Sequence, residues 1–356
     1  MTSTFGKAIA TSTLAILTSA GLGAQDKGFE LSSLYFETRV GYEAALPGMD
    51  FNADASGFRG SYLNMRLDGQ ICEGLTYSYR QRFNKLTERS FFNATDWIHL
   101  DWKITDWVTL SGGKQVVAIG GFEYDRAPID LYYCSEFWNN IACYQLGVSG
   151  SFNVNPGDNL LLQVCNSPMR GYINDSEGNN VGNSKIAINL MWYGNHGLYE
   201  SMWSANAFQN TTDTWMYYIA LGNRFNITDW LRWDIDLMDR LGKGSGFLGD
   251  FSIMSEISAA PVDGLRAHAK FTWDRNKKGY EDWLVLAGTN VRSVSAGVEY
   301  CPVKKAREAV KLYAAAGYSL GDCYGVLGDK DLFIQAGVKF RLDILEGIKT
   351  LIRKTK

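Results

Sequence analysis

Apolar and polar side chains alternate with a period of two along most of the chain after residue 31. The clearest examples are the segments 63–68, 75–82, 231–238 and 265–273, in which odd positions are mainly apolar and even positions are mainly polar or charged. Successive side chains of an extended chain point to opposite faces. Each segment therefore predicts a β-strand with one apolar and one polar face.

The alternating pattern recurs sixteen times, which is an even number. The predicted strands are 31–43, 58–71, 75–86, 95–104, 107–117, 142–153, 158–167, 184–193, 198–209, 214–226, 229–241, 249–259, 265–274, 291–300, 309–319 and 330–342.

The connections between these strands are of two kinds. The tight ones contain turn residues and lie at 72–74, 105–106, 155–157, 194–197, 228–229 and 261–264. The long ones are 44–57, 118–141, 168–183, 275–290 and 320–329. Short turns on one side and long loops on the other are typical of an outer-membrane β-barrel, whose turns are periplasmic and whose loops are extracellular.

The tetrapeptide Ile-Thr-Asp-Trp occurs at 104–107 and again at 227–230, each time between two predicted strands. We interpret it as one hairpin turn used twice. Asp favours the turn, and the Trp that follows is placed where an aromatic belt meets lipid headgroups.

The polar faces carry too many charges for a protein core. Arg80, Arg82, Asp234, Asp236 and Lys270 all fall on them, and burying unpaired charges is strongly unfavourable. These side chains need water, and sixteen strands enclose a lumen wide enough to hold it. The predicted fold class is all-β, a 16-stranded antiparallel transmembrane β-barrel whose apolar face contacts lipid.

The first residues of the chain predict a signal peptide. One positive charge within residues 1–7 is followed by a mainly small and apolar stretch at 8–20, and small residues continue to Ala24. This is the layout of an export signal. We expect cleavage after Ala24, with cleavage after Ala20 as the alternative, and an exported chain that resides in the outer membrane.

The last residues predict a short amphipathic helix after the final strand. Its apolar stripe consists of Ile344, Leu345, Ile348, Leu351 and Ile352. Asp343 and Glu346 have the spacing of a capping box at its start. The predicted organisation is a signal peptide at 1–24, a barrel at 25–342 and a periplasmic helix at 343–356.

Composition excludes several other classes of protein. The chain has 35 Lys and Arg against 38 Asp and Glu, so it lacks the basic excess of a nucleic-acid-binding protein. No later segment approaches the roughly 18 consecutive apolar residues that a membrane helix needs. The three His and six Cys show no metal-ligand spacing, so we expect no metal, no cofactor and no enzymatic activity.

The segment around 107–150 resembles a known family. Gly113-Lys114-Gln115, the run Gly120-Gly121-Phe122-Glu123-Tyr124-Asp125, Pro128-Ile129-Asp130 and Asn139-Asn140 look like motifs of the phosphate-selective porin O and P family. The resemblance implies a 16-stranded trimeric outer-membrane porin whose third loop folds into the barrel as a constriction. It also implies outer-membrane lipids and small solutes or ions as partners.

Charge patterning predicts a mild preference for anions. The wall facing the lumen carries fourteen basic and nine acidic residues, whereas the third loop is mainly acidic. Rings of charged side chains decide which ions pass through a pore. The predicted pore-lining residues are Arg39, Arg66, Arg80, Arg82, Lys103, Arg232, Arg266 and Lys270. The predicted constriction residues are Glu123, Asp125, Arg126, Asp130 and Glu136.

Two questions stay open from the sequence. Cys143 and Cys165 are placed near each other on neighbouring strands, and either a disulfide or two free thiols fits this placement. The function is that of a passive diffusion porin, while an outer-membrane barrel enzyme and a structural barrel with a plugged lumen are the competing interpretations.

Overall fold

A computed structural model describes residues 28–86, 90–170, 185–210, 215–242, 246–276, 285–303, 309–322 and 330–355. Sixteen antiparallel strands form one closed barrel, in which each strand pairs with its neighbours in sequence and β1 pairs with β16. The predicted fold class is therefore confirmed. The expected signal peptide at 1–24 lies outside the described residues.

The strands form the wall in chain order. They are β1 Glu30–Pro47, β2 Asn52–Cys72, β3 Leu75–Arg82, β4 Thr95–Lys103, β5 Val108–Val116, β6 Tyr144–Asn155, β7 Asp158–Asn166, β8 Ile186–Asn195, β9 Tyr199–Gln209, β10 Trp215–Thr228, β11 Leu231–Leu241, β12 Asp250–Val262, β13 Leu265–Arg275, β14 Asn290–Tyr300, β15 Val310–Asp322 and β16 Lys330–Asp343.

One predicted long loop is wrong. The segment 44–57 was expected to connect the first two strands as a loop, but β1 runs to Pro47 and β2 begins at Asn52. The chain reverses tightly because Gly48 and Met49 both adopt positive φ angles, of 61° and 75°. The hairpin thus extends well beyond the part of β2 that pairs with β3.

The repeated tetrapeptide forms the same turn in both places. The Thr105 hydroxyl accepts hydrogen bonds from the backbone N–H of Trp107 (3.3 Å) and Val108 (3.1 Å). The Thr228 hydroxyl accepts the equivalent bonds from Trp230 (3.3 Å) and Leu231 (3.0 Å). Threonine therefore closes this turn, which the sequence had attributed to the aspartate.

The two faces of the wall differ as the alternation predicts. On β4, Ile98, Leu100 and Trp102 point outward and are exposed. The intervening His99 and Asp101 point inward, and their side chains lie 3.1 Å apart. An apolar outer face and a polar inner face are what a transmembrane barrel requires.

The amphipathic helix at the C-terminus is present. It is α3, Ile344–Thr355, and follows β16 directly. The backbone N–H of Glu346 donates to the Asp343 carboxylate (3.0 Å), which is half of the predicted capping box. Among the described residues, no helix is both long enough and apolar enough to cross a membrane.

Candidate functional site

The connection between β5 and β6, residues 117–143, folds into the barrel, and we call it the third loop. It contains the helical turn α1 Phe122–Asp125, a 3-10 turn at Pro128–Asp130 and the short helix α2 Glu136–Asn140. Gly121 lies against Gly222 of β10, where a Cβ atom on Gly222 would come within 2.7 Å of the Gly121 Cα. Glycine at 222 therefore lets the loop approach the wall.

A carboxylate of the wall holds the start of α1. The two oxygens of Asp236, on β11, accept hydrogen bonds from the backbone N–H of Phe122 (3.0 Å) and of Glu123 (2.8 Å). These N–H groups have no partner within the helix, and a carboxylate at a helix N-terminus is favourable. The inward-facing Asp236 thus fixes where α1 sits in the lumen.

A buried ion-pair network continues this attachment along β11 to β13. The Lys270 ammonium lies 3.1 Å from the Glu123 carboxylate and donates to the backbone oxygen of Tyr133 (2.8 Å). The Arg126 guanidinium donates to Glu256 (2.6 Å) and to Asp234 (3.3 Å). Hydrogen bonds between charged groups are strong where water is excluded. Lys270 and Arg126 therefore attach the loop to the wall.

A second attachment lies further around the wall, at β14, β16 and β1. The Arg39 guanidinium donates to the backbone oxygens of Ile129 (3.2 Å) and Leu131 (2.5 Å). The Lys339 ammonium lies 2.7 Å from Asp130. Burial raises the pKa of Asp130, but the Lys339 charge outweighs it and the pKa lies below its usual value. The Asp130 side chain thus stays ionised at neutral pH.

Tyr132 completes the second attachment. Its hydroxyl donates to the Glu299 carboxylate (2.5 Å), and its ring stacks on His268 and Tyr313. The Arg39 guanidinium lies 5.2 Å from the ring centroid. The third loop is therefore attached to the inner face of the wall in two places.

An apolar core fills the lumen between the third loop and β7 to β11. Val117, Ile119 and Phe137 of the loop are buried in one cluster with Phe208 and Tyr218 of the wall. The Phe137 and Tyr218 rings stack with their centroids 5.1 Å apart. This side of the barrel is thus packed like a protein core.

Open space lies between the third loop and β1 to β9. A cavity of about 900 Å³ is bordered by Asp125 of the loop and by charged wall residues that include Glu37, Arg66 and Asp101. Its lining reaches Ser33 near the turn side of the barrel. This cavity is the candidate solute path on that side of the loop.

Arg66 and Arg80 border this cavity and are paired with acids, as is the neighbouring Arg82. Arg80 lies 3.2 Å from Glu37 and 3.5 Å from Asp96, and Arg82 lies 3.0 Å from Asp96. The Arg66 side chain pairs with Asp68 at 2.8 Å and is 41% exposed. Arg66 is thus the most accessible positive charge of this cluster, and Arg80 is buried.

The register places all eight predicted pore-lining residues on the inner face of the barrel. Their surroundings differ. Arg39 and Lys270 contact the loop, Lys103 is exposed beside Asp106 at a turn, Arg232 pairs with Asp234 and Arg266 is exposed. Whether each of them faces the conducting path stays a prediction.

The predicted constriction residues separate into two groups. Glu123 and Glu136 are buried, and Arg126 and Asp130 are paired with the wall, whereas Asp125 is exposed and borders the cavity. The sequence placed all four acids opposite a basic wall across an open gap. The structure instead uses two of them, Glu123 and Asp130, to bind the loop to that wall.

The thiols among the described residues are free. Cys72, Cys134, Cys143, Cys165 and Cys301 form no disulfide, so the second alternative for Cys143 and Cys165 holds. Burial raises the pKa of the Cys134 thiol to about 12. A thiol with such a pKa is protonated at neutral pH and is not an activated nucleophile.

Comparison with solved structures finds other barrels of this kind. An anion-selective porin from Comamonas acidovorans superposes with a TM-score of 0.61 at 11% identity over 88% of this chain and 100% of that chain. The outer-membrane channel DcaP of Acinetobacter baumannii gives 0.60 at 13% identity, covering 91% and 100%. Pseudomonas putida OprB gives 0.60 at 9% identity, covering 93% and 97%. At such low sequence identity, the superpositions show that the fold is shared.

Comparison at the level of sequence identifies the family. No curated protein gives a significant sequence match. The sequence model of the phosphate-selective porin O and P family matches residues 34–216, which is more than half of the chain and includes the third loop. With its closed 16-stranded barrel and inward-folded loop, the chain belongs to this family and is an outer-membrane porin, a channel for passive diffusion.

Proposed function

We propose that this porin conducts small hydrophilic solutes with a mild preference for anions. The observation that supports this preference is that most of the acids of the third loop are buried or paired. Glu123 and Glu136 are buried, and Asp130 is paired with Lys339 although its side chain is 38% exposed, which leaves Asp125 as the acid of the four that is exposed as a whole residue. On the wall, Arg266 is exposed and Arg66 is accessible although it is paired with Asp68. The paired carboxylates Glu37 and Asp68 keep the preference mild.

Planar-bilayer recordings of the purified protein in a KCl gradient test this proposal. We expect ohmic single-channel steps and a reversal potential whose sign corresponds to chloride entering more easily than potassium. A silent barrel would contradict the porin function, and hydrolytic activity in a silent barrel would favour an enzyme. A potassium preference at low salt would contradict the anion preference alone.

We also propose that the porin is a homotrimer, on the basis of the family resemblance and of the outer face of β3 to β5. Lys114 points outward on β5, yet its ammonium donates to the backbone oxygen of Phe92 (3.0 Å), and the connection at 90–94 covers it. Phe91 beside it is 60% exposed. A second copy would cover this patch, and Phe91→Asp should lower the apparent mass in chemical cross-linking to that of a monomer.

The remaining proposals concern processing and placement. We propose that residues 1–24 are removed on export, that the barrel at 25–342 is surrounded by outer-membrane lipids, and that the helix at 343–356 lies on the periplasmic side. The short turns of the barrel lie at the same end as this helix, which is the periplasmic end in such barrels. The intact mass of the purified mature chain would give the cleavage site directly.

A further inference from the structure

Charged side chains are scarce on the outer face of β11 to β14. The register turns three of them outward on these strands: Asp239 on β11, Arg275 on β13 and Arg292 on β14. A charge on the lipid-facing side of a barrel is unfavourable near the bilayer centre and tolerated near the headgroups. Two arginines on neighbouring strands therefore call for a partner outside the protein wall.

The one acid on this face does not neutralise them. The Asp239 carboxylate is fully buried and accepts a hydrogen bond from the backbone N–H of Leu248 (2.9 Å). Phe251 lies between Asp239 and Arg275 in the same row of the sheet. The Arg275 Nε is buried and has no hydrogen-bond partner in the part of the chain that the structure describes.

The two arginines lie on an aromatic platform. The Arg292 guanidinium is 4.8 Å from the centroid of the Trp273 ring, and that of Arg275 is 6.0 Å from the centroid of Phe251. The two rings meet edge to face at 4.9 Å. The Trp273 indole N–H donates to Asn290 (3.1 Å), which fixes the orientation of that ring. The platform is therefore ordered without a ligand.

The position of the platform indicates which leaflet it meets. Arg275 is the last residue of β13, before the long connection to β14. Long connections of such barrels are extracellular, and tryptophan belts mark the headgroup level. Arg275 and Arg292 therefore lie at the headgroups of the outer leaflet.

We propose that Arg275 and Arg292 bind the phosphate group of an outer-leaflet lipid, with its acyl chains against the apolar face of β12 to β14. The two side chains are diagonal neighbours on adjacent strands, about 7 Å apart at their Cβ atoms. Guanidinium groups at this separation can both reach one phosphate and donate paired hydrogen bonds to it. The Arg292 side chain is exposed and supplies donors on the lipid side of the wall.

Binding of diphosphoryl lipid A to the purified full-length porin in detergent micelles tests this proposal. Native mass spectrometry would count bound lipid in the wild type, in the double variant Arg275→Gln/Arg292→Gln and in the control Arg59→Gln. Arg59 is a half-exposed arginine elsewhere on the barrel, paired with Glu43 at 3.7 Å. We expect binding to weaken at least roughly tenfold in the double variant, because charge-assisted hydrogen bonds are lost, and to be unchanged in the control.

Three results would overturn the proposal. The first is that the wild type and the double variant bind diphosphoryl lipid A equally well. The second is that the wild type binds dephosphorylated lipid A as well as it binds diphosphoryl lipid A. The third is displacement of the lipid by millimolar inorganic phosphate, which would make the site one for the free ion. If the double variant does not fold, the single variant Arg292→Gln replaces it, because the Arg292 side chain is exposed. Its binding should then be intermediate, and wild-type binding would contradict the proposal.

Discussion

Replacing Lys270 by alanine should release the third loop and increase the open-channel conductance. The substitution removes the ammonium that lies 3.1 Å from Glu123 and 3.5 Å from Glu256, and it leaves both carboxylates buried. Breaking a buried pair in this way costs about 3–5 kcal/mol. The variant should show larger and noisier single-channel steps, together with faster hydrogen exchange at the loop amides around α1.

Arg266→Ala is the matched control for this experiment. Arg266 lies on the same strand and the same inner face, carries the same charge and is exposed. Loss of a positive charge alone would change both variants alike, whereas release of the loop should appear only with Lys270→Ala. Unchanged conductance and exchange in Lys270→Ala would contradict this prediction and show that the other attachments hold the loop without Lys270.

The double variant Arg80→Ala/Arg82→Ala should shift the reversal potential in a KCl gradient toward cations. Without these arginines, Asp96 and Glu37 lose the partners that lie 3.0 to 3.5 Å away, and the wall at and beside the cavity becomes more negative. In water, the interaction energy between a unit charge and an ion about 4 Å away is about 1 kcal/mol. The permeability ratio should therefore change roughly fivefold, by the relation between free energy and equilibrium.

Salt separates this electrostatic effect from a change of shape. The Debye length falls from about 30 Å at 0.01 M to about 3 Å at 1 M, so the shift should be largest at low salt. Lys103→Ala is the control, because Lys103 is exposed beside Asp106 at a turn and should change the ratio less. A shift that does not depend on salt would indicate collapse of the wall around Trp97, whose ring centroid lies 5.0 Å from the Arg80 guanidinium, and would contradict the electrostatic explanation.

The alternation of apolar and polar residues was enough to predict the number of strands and which side chains point into the barrel. Both follow from a local rule, since alternate side chains of a strand must point to opposite faces. The same rule placed Arg39, Arg80 and Lys270 on the inner face. It failed at 44–57, where the positive φ angles of Gly48 and Met49 allow a tight reversal that alternation does not report.

The partners of the inner-face residues depend on how the chain packs in three dimensions. Phe122 and Asp236 are 114 residues apart, and Arg39 and Leu131 are 92 apart. Alternation reports the face of a side chain but not its height in the barrel or what the third loop brings to it. For that reason Asp236, Glu256 and Tyr132 were not recognised as attachments of the loop, and the loop acids were assigned to an open aperture. When the barrel closes around the third loop, some inward-facing charges form ion pairs that attach the loop, and others stay accessible.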